Sequence, residues 1–176
     1  MAARNRLPPW HEMIRTADGR EVLIRPIRPE DAAPLGAGFA LLQPDDMHQR
    51  FLHGGKATPE ALEKLSRPDP RREFALVASE PLPAGESLIG AVARVGVVDD
   101  TRQGEFSILV GRFLKGMGLG RHLMRRLVRW AKGKKLERLY GEVAEDNQPM
   151  LALAESLGFT RESTGTPGYV RVVLDL

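Results

Sequence analysis

The stretch Lys115-Gly-Met-Gly-Leu-Gly120 decides the fold, because it puts three glycines between an apolar segment and an amphipathic one. Upstream, Ile108-Leu-Val110 favours a buried strand. Downstream, apolar residues recur at 119, 123, 127 and 131, which predicts a helix over 117–132. Glycine has no Cβ, so a ligand can approach the backbone closely. The first N–H groups of a helix have no acceptor within it, so this turn predicts a cradle for a pyrophosphate.

The residues around the glycines exclude two familiar phosphate loops. A Walker A loop requires Lys and then Ser or Thr after its last glycine, whereas Gly116 precedes Met117 and Gly118. The dinucleotide fingerprint requires a glycine where Arg121 stands. The stretch instead fits the pattern Gln/Arg-x-x-Gly-x-Gly/Ala, with Lys115 at the first position.

Positive charge is concentrated in the same part of the chain. Residues 111–138 contain ten basic side chains and one acidic side chain, a local charge of +9 in a chain whose total is +3. The rest of the chain therefore carries −6. Such a strip beside a glycine turn favours an anionic partner. A solvated helix face explains the charge equally well.

Outside this strip, apolar strands and helices alternate irregularly. Paired prolines and scattered charges in residues 1–15 predict a flexible arm, followed by a single domain over 16–176. Strands are expected at 22–24, 74–78, 87–98, 105–110, 139–143 and 170–174. Further helices are expected at 30–39, 45–53, 59–65 and 147–157. This order predicts a mixed α/β fold, with helices packed on a sheet, rather than an alternating doubly wound one.

Composition excludes several classes of protein. The chain has 176 residues, 42% hydrophobic and 28% charged, which is typical of one globular domain. The absence of cysteine excludes disulfides, thiolate metal sites and a thiol nucleophile. No apolar run could span a membrane and no secretory signal is recognisable, so we expect a cytoplasmic protein. The four histidines lack metal-ligand spacing, so no metal is expected. An aromatic content of 6% argues against the stacking that single-stranded nucleic acid requires, so no nucleic-acid partner is expected.

Two segments in this order resemble the GNAT N-acetyltransferases, which use acetyl-CoA. They are the glycine turn after its strand and the later Asn147-x-x-Met-Leu-x-Leu-Ala-x-x-Leu-Gly-Phe159. Stretches 22–31, 72–78, 105–110 and 147–154 look most like the acetyltransferase domain of bacterial Pat-type protein lysine acetyltransferases. The resemblance covers about residues 22–174. It implies a mostly antiparallel, splayed sheet of six or seven strands, flanked by about four helices.

The resemblance also implies where acetyl-CoA binds. The backbone of the strand before the turn would pair with the pantetheine arm, and the turn would hold the pyrophosphate. Asn147 would reach the pantetheine or thioester, although an ordinary helix cap explains this asparagine as well. The residues implied in cofactor binding are Ile108, Leu109, Val110, Lys115, Gly116, Met117, Gly118, Leu119, Gly120, Arg121 and Asn147.

The chemistry of acetyl transfer requires a proton acceptor, because an amine attacks a thioester only when neutral and a lysine has a pKa of about 10.4. Glu105 stands at the position of the catalytic glutamate in protein-acetylating relatives, and Glu142 is the second, supporting candidate. An exposed strand-end carboxylate is the plain alternative for Glu105. Ala154 occupies the position where many relatives have a tyrosine that protonates the leaving thiolate, so no general acid is assigned.

Together these observations predict an enzyme that transfers acetyl from acetyl-CoA directly to a lysine side chain of a protein, with acetyl-CoA synthetase as a candidate by family analogy. Two alternatives stay open: acetylation of a small amine, or a non-catalytic module that senses acyl-CoA or binds nucleic acid. The protein is expected to be a monomer or a homodimer.

Overall fold

One sheet is the framework of the molecule. The computed structural model describes residues 8–40, 58–111, 114 and 118–176. The strands within them are β1 Glu12–Arg15, β2 Glu21–Pro26, β3 Glu73–Ser79, β4 Ile89–Val97, β5 Gln103–Val110, β6 Arg138–Ala144, β7 Thr160–Ser163 and β8 Tyr169–Asp175. These eight strands lie in the order β1-β2-β3-β4-β5-β6-β8-β7. Every neighbouring pair is antiparallel except β5 and β6, which run parallel.

Four α-helices in the described part of the chain complete the fold. They are α1 Ala32–Ala40, preceded by a short 3-10 turn at Pro29–Asp31, α2 Pro59–Ser66, α3 Leu119–Gly133 and α4 Gln148–Ser156. Thr58 accepts a hydrogen bond from the amide of Ala61 and so caps α2, whose first residue is the proline that the sequence indicates. The mixed α/β architecture predicted from the sequence is confirmed.

The helices cover the two faces of the sheet with separate apolar clusters. On one face, residues of α1 and α2 pack against Ala75, Val77, Val92 and Leu109. On the other face, α3 and α4 pack against the opposite side of the central strands. Strand β3 is buried along almost its whole length because both of its faces are covered. Burial of each large apolar side chain of α3, such as the fully buried Leu123 and Leu127, contributes about 1.5–3 kcal/mol.

A buried ion pair joins β2 to the 3-10 turn that precedes α1. The guanidinium of Arg25 donates to both carboxylate oxygens of Asp31, at 2.7 and 2.8 Å. The amide of Arg28 donates to the same carboxylate at 2.8 Å. Both charged side chains are almost completely buried, so each neutralises the other in a low-dielectric environment.

The N-terminal end of the described chain is part of the sheet. The flexible arm predicted for residues 1–15 is wrong for residues 12–15, which form β1 and pair with β2. Trp10 packs on Phe74, which stacks on Trp130 of α3 at 5.6 Å. Arg126 of α3 donates to the carbonyl of Trp10. The sequence gives no sign of these contacts because they join residues that are far apart along the chain, 116 positions in the case of Arg126 and Trp10.

The described residues form eight strands, where six or seven were expected, and the two that match none of the six predicted ranges are the short edge strands β1 and β7. β7 is exposed at all four positions, so it has no apolar alternation from which a strand could be predicted. β1 is a half-exposed strand of four residues next to a proline-rich segment. The helix expected at 45–53 lies outside the described residues.

Candidate active site

Strands β5 and β6 form a fork. They pair over three positions only, Gln103 with Arg138, Gly104 with Leu139 and Glu105 with Tyr140. Beyond Glu105, β5 continues along β4 to Val110, whereas β6 continues along β8 to Ala144. The edge of β5 over residues 106–110 is therefore not paired with another described strand, and its amides and carbonyls can receive an extended ligand.

An aromatic wedge occupies the base of the fork. The ring of Phe106 lies so close to Gly141 that a Cβ at position 141 would be 2.6 Å from its Cζ. The ring also meets Phe159 edge-on, with centroids 5.6 Å apart. Just beyond this wedge, a small cavity opens between the strands, lined by Phe106, Ser107, Ile108, Glu142, Val143 and Met150. The sequence analysis missed Gly141, although a glycine inside a strand often marks the close approach of another group.

The start of α3 lies beyond the open edge of β5. Gly118 precedes the helix with a left-handed φ of +79° and is exposed, and a Cβ there would meet nothing within 4 Å. Gly120 has a different role, since its Cβ would lie 3.1 Å from Leu153 of α4. Leu119 is buried in the core, so its backbone alone is available to a ligand. Lys115, Gly116 and Met117 lie outside the described residues.

The basic side chains of α3 divide into two groups. Arg129 lies over the ring of Trp10 at 5.5 Å, and Lys134 lies over Trp130 at 5.6 Å. Arg129 and Arg126 thus join α3 to the N-terminal segment, whereas Lys134, the residue after α3, contacts the helix itself. Arg121, in the first turn of α3, is exposed and donates to the hydroxyl of Ser156 at 2.9 Å. Of these four basic residues, only Arg121 lies beside the glycine turn.

Asn147 caps the helix that follows β6. Its side-chain oxygen accepts a hydrogen bond from the amide of Met150 at 3.3 Å. The capping interpretation is thus observed, and the cap places Met150 against the fork. Ala154, in the same helix, is completely buried in the core.

The two candidate carboxylates lie on the sheet face opposite α3 and α4, in different environments. Glu105 is exposed, and the Tyr140 hydroxyl donates to its Oε2 at 3.4 Å. Glu142 is mostly buried, with a side chain 12% exposed, and its Oε1 lies 3.4 Å from Nη2 of Arg171. Glu105 is therefore open to an incoming acceptor, whereas Glu142 is engaged inside the sheet face.

Tyr140 and Arg171, which the sequence analysis did not single out, lie between these carboxylates. The guanidinium of Arg171 lies over the Tyr140 ring, 4.6 Å from its centroid. Burial raises the pKa of the Tyr140 hydroxyl, and the negative charge of Glu105 raises it further, although the positive charge of Arg171 acts in the opposite direction. The hydroxyl is consequently a neutral hydrogen-bond donor at physiological pH.

Comparisons with known proteins agree with this geometry. The sequence model of one protein family, described as the acetyltransferase (GNAT) domain, matches residues 21–160 of this chain. An acetyltransferase of Pseudomonas aeruginosa is 32% identical over 151 residues, which cover 85% of this chain and 80% of the relative. The GNAT domain of PAT from S. lividans superposes with a TM-score of 0.78 and 20% identity, covering 97% of this chain and 100% of that one. The protein yncA from Salmonella typhimurium, solved with its cofactor acetyl-CoA, superposes with a TM-score of 0.68 and 20% identity. The superposition covers 88% of this chain and 94% of that one.

The chain belongs to the GNAT family of acetyltransferases. The resemblance found in the sequence is thereby confirmed for the family and for its fold, and acetyl-CoA is the usual co-substrate of such enzymes. Within the described ranges, no helix is long and apolar enough to cross a membrane. The same ranges contain no group of three or more His, Cys, Asp or Glu side chains arranged to hold a metal ion.

Proposed function

We propose that this acetyltransferase transfers the acetyl group of acetyl-CoA directly to the side-chain amine of a lysine in a protein, with Glu105 accepting the proton of the amine. The fork is the observation that carries the proposal. β5 and β6 separate directly after the Glu105–Tyr140 pair, so an exposed carboxylate stands where an unpaired strand edge begins. An acyl donor on that edge and an acceptor on the exposed face would meet at Glu105.

The described residues fit acetyl-CoA in two places. The amides and carbonyls of Phe106 to Val110 would pair with the pantetheine arm, as an added strand does at a sheet edge. Gly118 and the first amides of α3 would hold the pyrophosphate, because Gly118 opens onto free space and the helix terminus is positive. Arg121 adds a positive charge beside it. Lys115, Gly116 and Met117 complete the proposed binding segment in the sequence.

The charged amine of the acceptor must lose two protons to become an amide, one before it attacks the thioester and one as the new bond forms. A lysine amine is charged at neutral pH, so Glu105 takes its proton directly or through a water molecule. The nitrogen lone pair then forms a bond to the carbonyl carbon while the carbon–sulfur bond breaks. The nitrogen loses its second proton to solvent, and CoA leaves as a thiolate. The chain has no cysteine that could carry the acetyl group, which supports direct transfer. Glu142 supports this chemistry from its buried position rather than exchanging the proton itself.

The surroundings of Glu105 support a large acceptor. α3 and α4 pack on the opposite face of the sheet, and α1 and α2 cover the part of this face formed by β3, β4 and the end of β5. Glu105 itself is exposed on this face, so a folded protein could bring a lysine to its carboxylate. Acetyl-CoA synthetase is the acceptor that the likeness to Pat-type enzymes favours.

A cysteine-free chain that uses acetyl-CoA fits a cytoplasmic location.

The proposal is tested by measuring CoA release from acetyl-CoA against two panels of acceptors. One panel contains folded proteins, including acetyl-CoA synthetase, and lysine peptides with blocked N-termini. The other contains small amines such as polyamines. Release with a protein, together with a mass increase of one acetyl group on a lysine, is the expected result. Release only with small amines contradicts the protein acceptor, and acetyl-CoA binding without release for any acceptor contradicts catalysis.

A further inference from the structure

The neighbours of Glu105 in the sheet differ on its two sides. On the β4 side the residue directly opposite is Gly96, which offers no side chain. On the β6 side it is Tyr140, whose hydroxyl reaches Oε2 of Glu105. A glutamate on an exposed strand has several free torsions, so an unrestrained carboxylate spends little time in one orientation. The contact with Tyr140 restricts it at the fork.

The Tyr140 ring is itself held by a second pair of residues. Arg171 on β8 is directly opposite Glu142 on β6, and the two side chains form an ion pair. This contact orients the guanidinium over the ring of Tyr140. Contacts thus link Glu105 on β5 to Tyr140 on β6, and Tyr140 to Arg171 on β8, which pairs with Glu142 on β6. The register of the three strands places these residues next to one another.

Charges on the other side of Glu105 are already paired. The guanidinium of Arg94 lies across Gly96, since a Cβ at position 96 would be 3.4 Å from its Nη2. Glu73 of β3 binds the same Nη2 at 2.6 Å. Arg171 is likewise engaged by Glu142. Both of these cations therefore have carboxylate partners of their own, and among the described residues it is the Tyr140 hydroxyl that donates a hydrogen bond to Glu105.

We infer that Tyr140 is a positioning residue: its hydroxyl holds the Glu105 carboxylate at the mouth of the fork, and the Arg171–Glu142 pair fixes the Tyr140 ring for that task. This inference rests on the proposed function, in which Glu105 takes the proton of the amine. It also gives Glu142 a definite supporting part, since Glu142 acts through Arg171 and the tyrosine ring. Tyr140 donates a hydrogen bond throughout and transfers no proton.

The contact is tested first without any acceptor. Tyr169 is the other tyrosine of the chain, so the variant Tyr169→Phe leaves Tyr140 as the sole group whose ionisation changes tyrosine absorbance. The negative charge of Glu105 raises the pKa of Tyr140, so adding Glu105→Gln should lower the midpoint of this titration. The matched control Glu137→Gln, an exposed carboxylate paired with Arg102, should leave the midpoint unchanged. Equal midpoints in all three proteins overturn the inference.

The positioning role is tested next with the best lysine acceptor found by CoA release. Tyr140→Phe should lower kcat about 10-fold, as expected for the loss of a hydrogen bond to a charged group, while KM for acetyl-CoA stays within about twofold. Tyr169→Phe, the matched control, should behave as the wild type in both respects.

A double-mutant cycle separates this inference from the proposed function. If Tyr140 acts through Glu105, Tyr140→Phe should have no further effect on kcat in a Glu105→Gln protein. The same fold-loss in both backgrounds indicates a merely structural tyrosine and overturns the inference, while leaving Glu105 as the base. Wild-type turnover of Glu105→Gln contradicts the proposed function itself, and the inference with it.

Discussion

The ring of Phe106 lies against the backbone of Gly141, on the strand that separates from its own. A Cβ at position 141 would lie 2.6–2.9 Å from three ring atoms. The ring has little room to move away, because Phe106 is 5% exposed and its ring also contacts Phe159 edge-on. The fork at which we place acetyl transfer is thus maintained by a large residue on one strand and the absence of a side chain on the other.

The variant Gly141→Ala tests this relationship. Its methyl group overlaps the ring, so overpacking should destabilise the protein by about 1–3 kcal/mol. For a chain of this size, this corresponds to a fall in Tm of about 2–4 °C per kcal/mol. Acetyl-CoA affinity, measured by calorimetry, should fall as well, because the strands must shift at the fork.

The control for this variant is Gly133→Ala at the end of α3, where a Cβ meets nothing within 4 Å. That substitution should leave both stability and affinity near the wild type. Phe106→Leu replaces the ring with a smaller side chain. Combined with Gly141→Ala, it should recover part of the stability that the alanine variant loses. Equal Tm values for Gly141→Ala and Gly133→Ala would show that the ring does not fill the fork.

The start of α3 gives a second prediction, on acetyl-CoA binding. Gly118 has a left-handed backbone, so Gly118→Ala should cost about 1–2 kcal/mol of stability through strain alone. Gly118→Glu carries the same strain and adds a negative charge where the pyrophosphate would lie. It should abolish acetyl-CoA binding in calorimetry, whereas the alanine variant should retain it. Equal affinities for the two variants would place the pyrophosphate elsewhere.

The buried pair Arg25–Asp31 gives a third prediction, on stability. Asp31→Asn leaves the guanidinium of Arg25 buried without its countercharge, which should cost about 3–5 kcal/mol in urea unfolding. Replacing both partners together, with Arg25→Met and Asp31→Leu, should cost less than this single change. The exposed pair Arg67–Glu63 is the control, and Glu63→Gln should change stability by less than about 1 kcal/mol. If Asp31→Asn left the urea midpoint of unfolding unchanged, the pair would not stabilise the fold as we propose.

Local patterns in the sequence were enough to predict most of the framework. The four-residue recurrence after the glycine turn predicts α3, and the Thr58-Pro59 pair predicts the start of α2. Edge strands escaped prediction for a physical reason. A strand such as β7, with both faces exposed, needs no apolar alternation and is held by backbone pairing alone.

The site was predictable only where a residue type is tied to its chemistry. The glycine turn was found from its residue types, and Glu105 through the likeness to a family. Tyr140 and Arg171 were not, because their roles depend on which strands become neighbours and in what register. Strand β8 lies between β6 and β7, an order that a linear sequence does not reveal. The close approach of Phe106 to Gly141 has the same origin.

The turnover of Glu105→Gln tests the central claim most directly. The substitution preserves size but removes the proton acceptor, so kcat with acetyl-CoA and a lysine acceptor should fall about 10²–10⁴-fold. Acetyl-CoA affinity should barely change, and activity should partly recover at high pH, where more of the lysine is already neutral. Glu137→Gln serves as the matched control and should retain full activity. Near wild-type turnover of Glu105→Gln at neutral pH would contradict the assignment of the base.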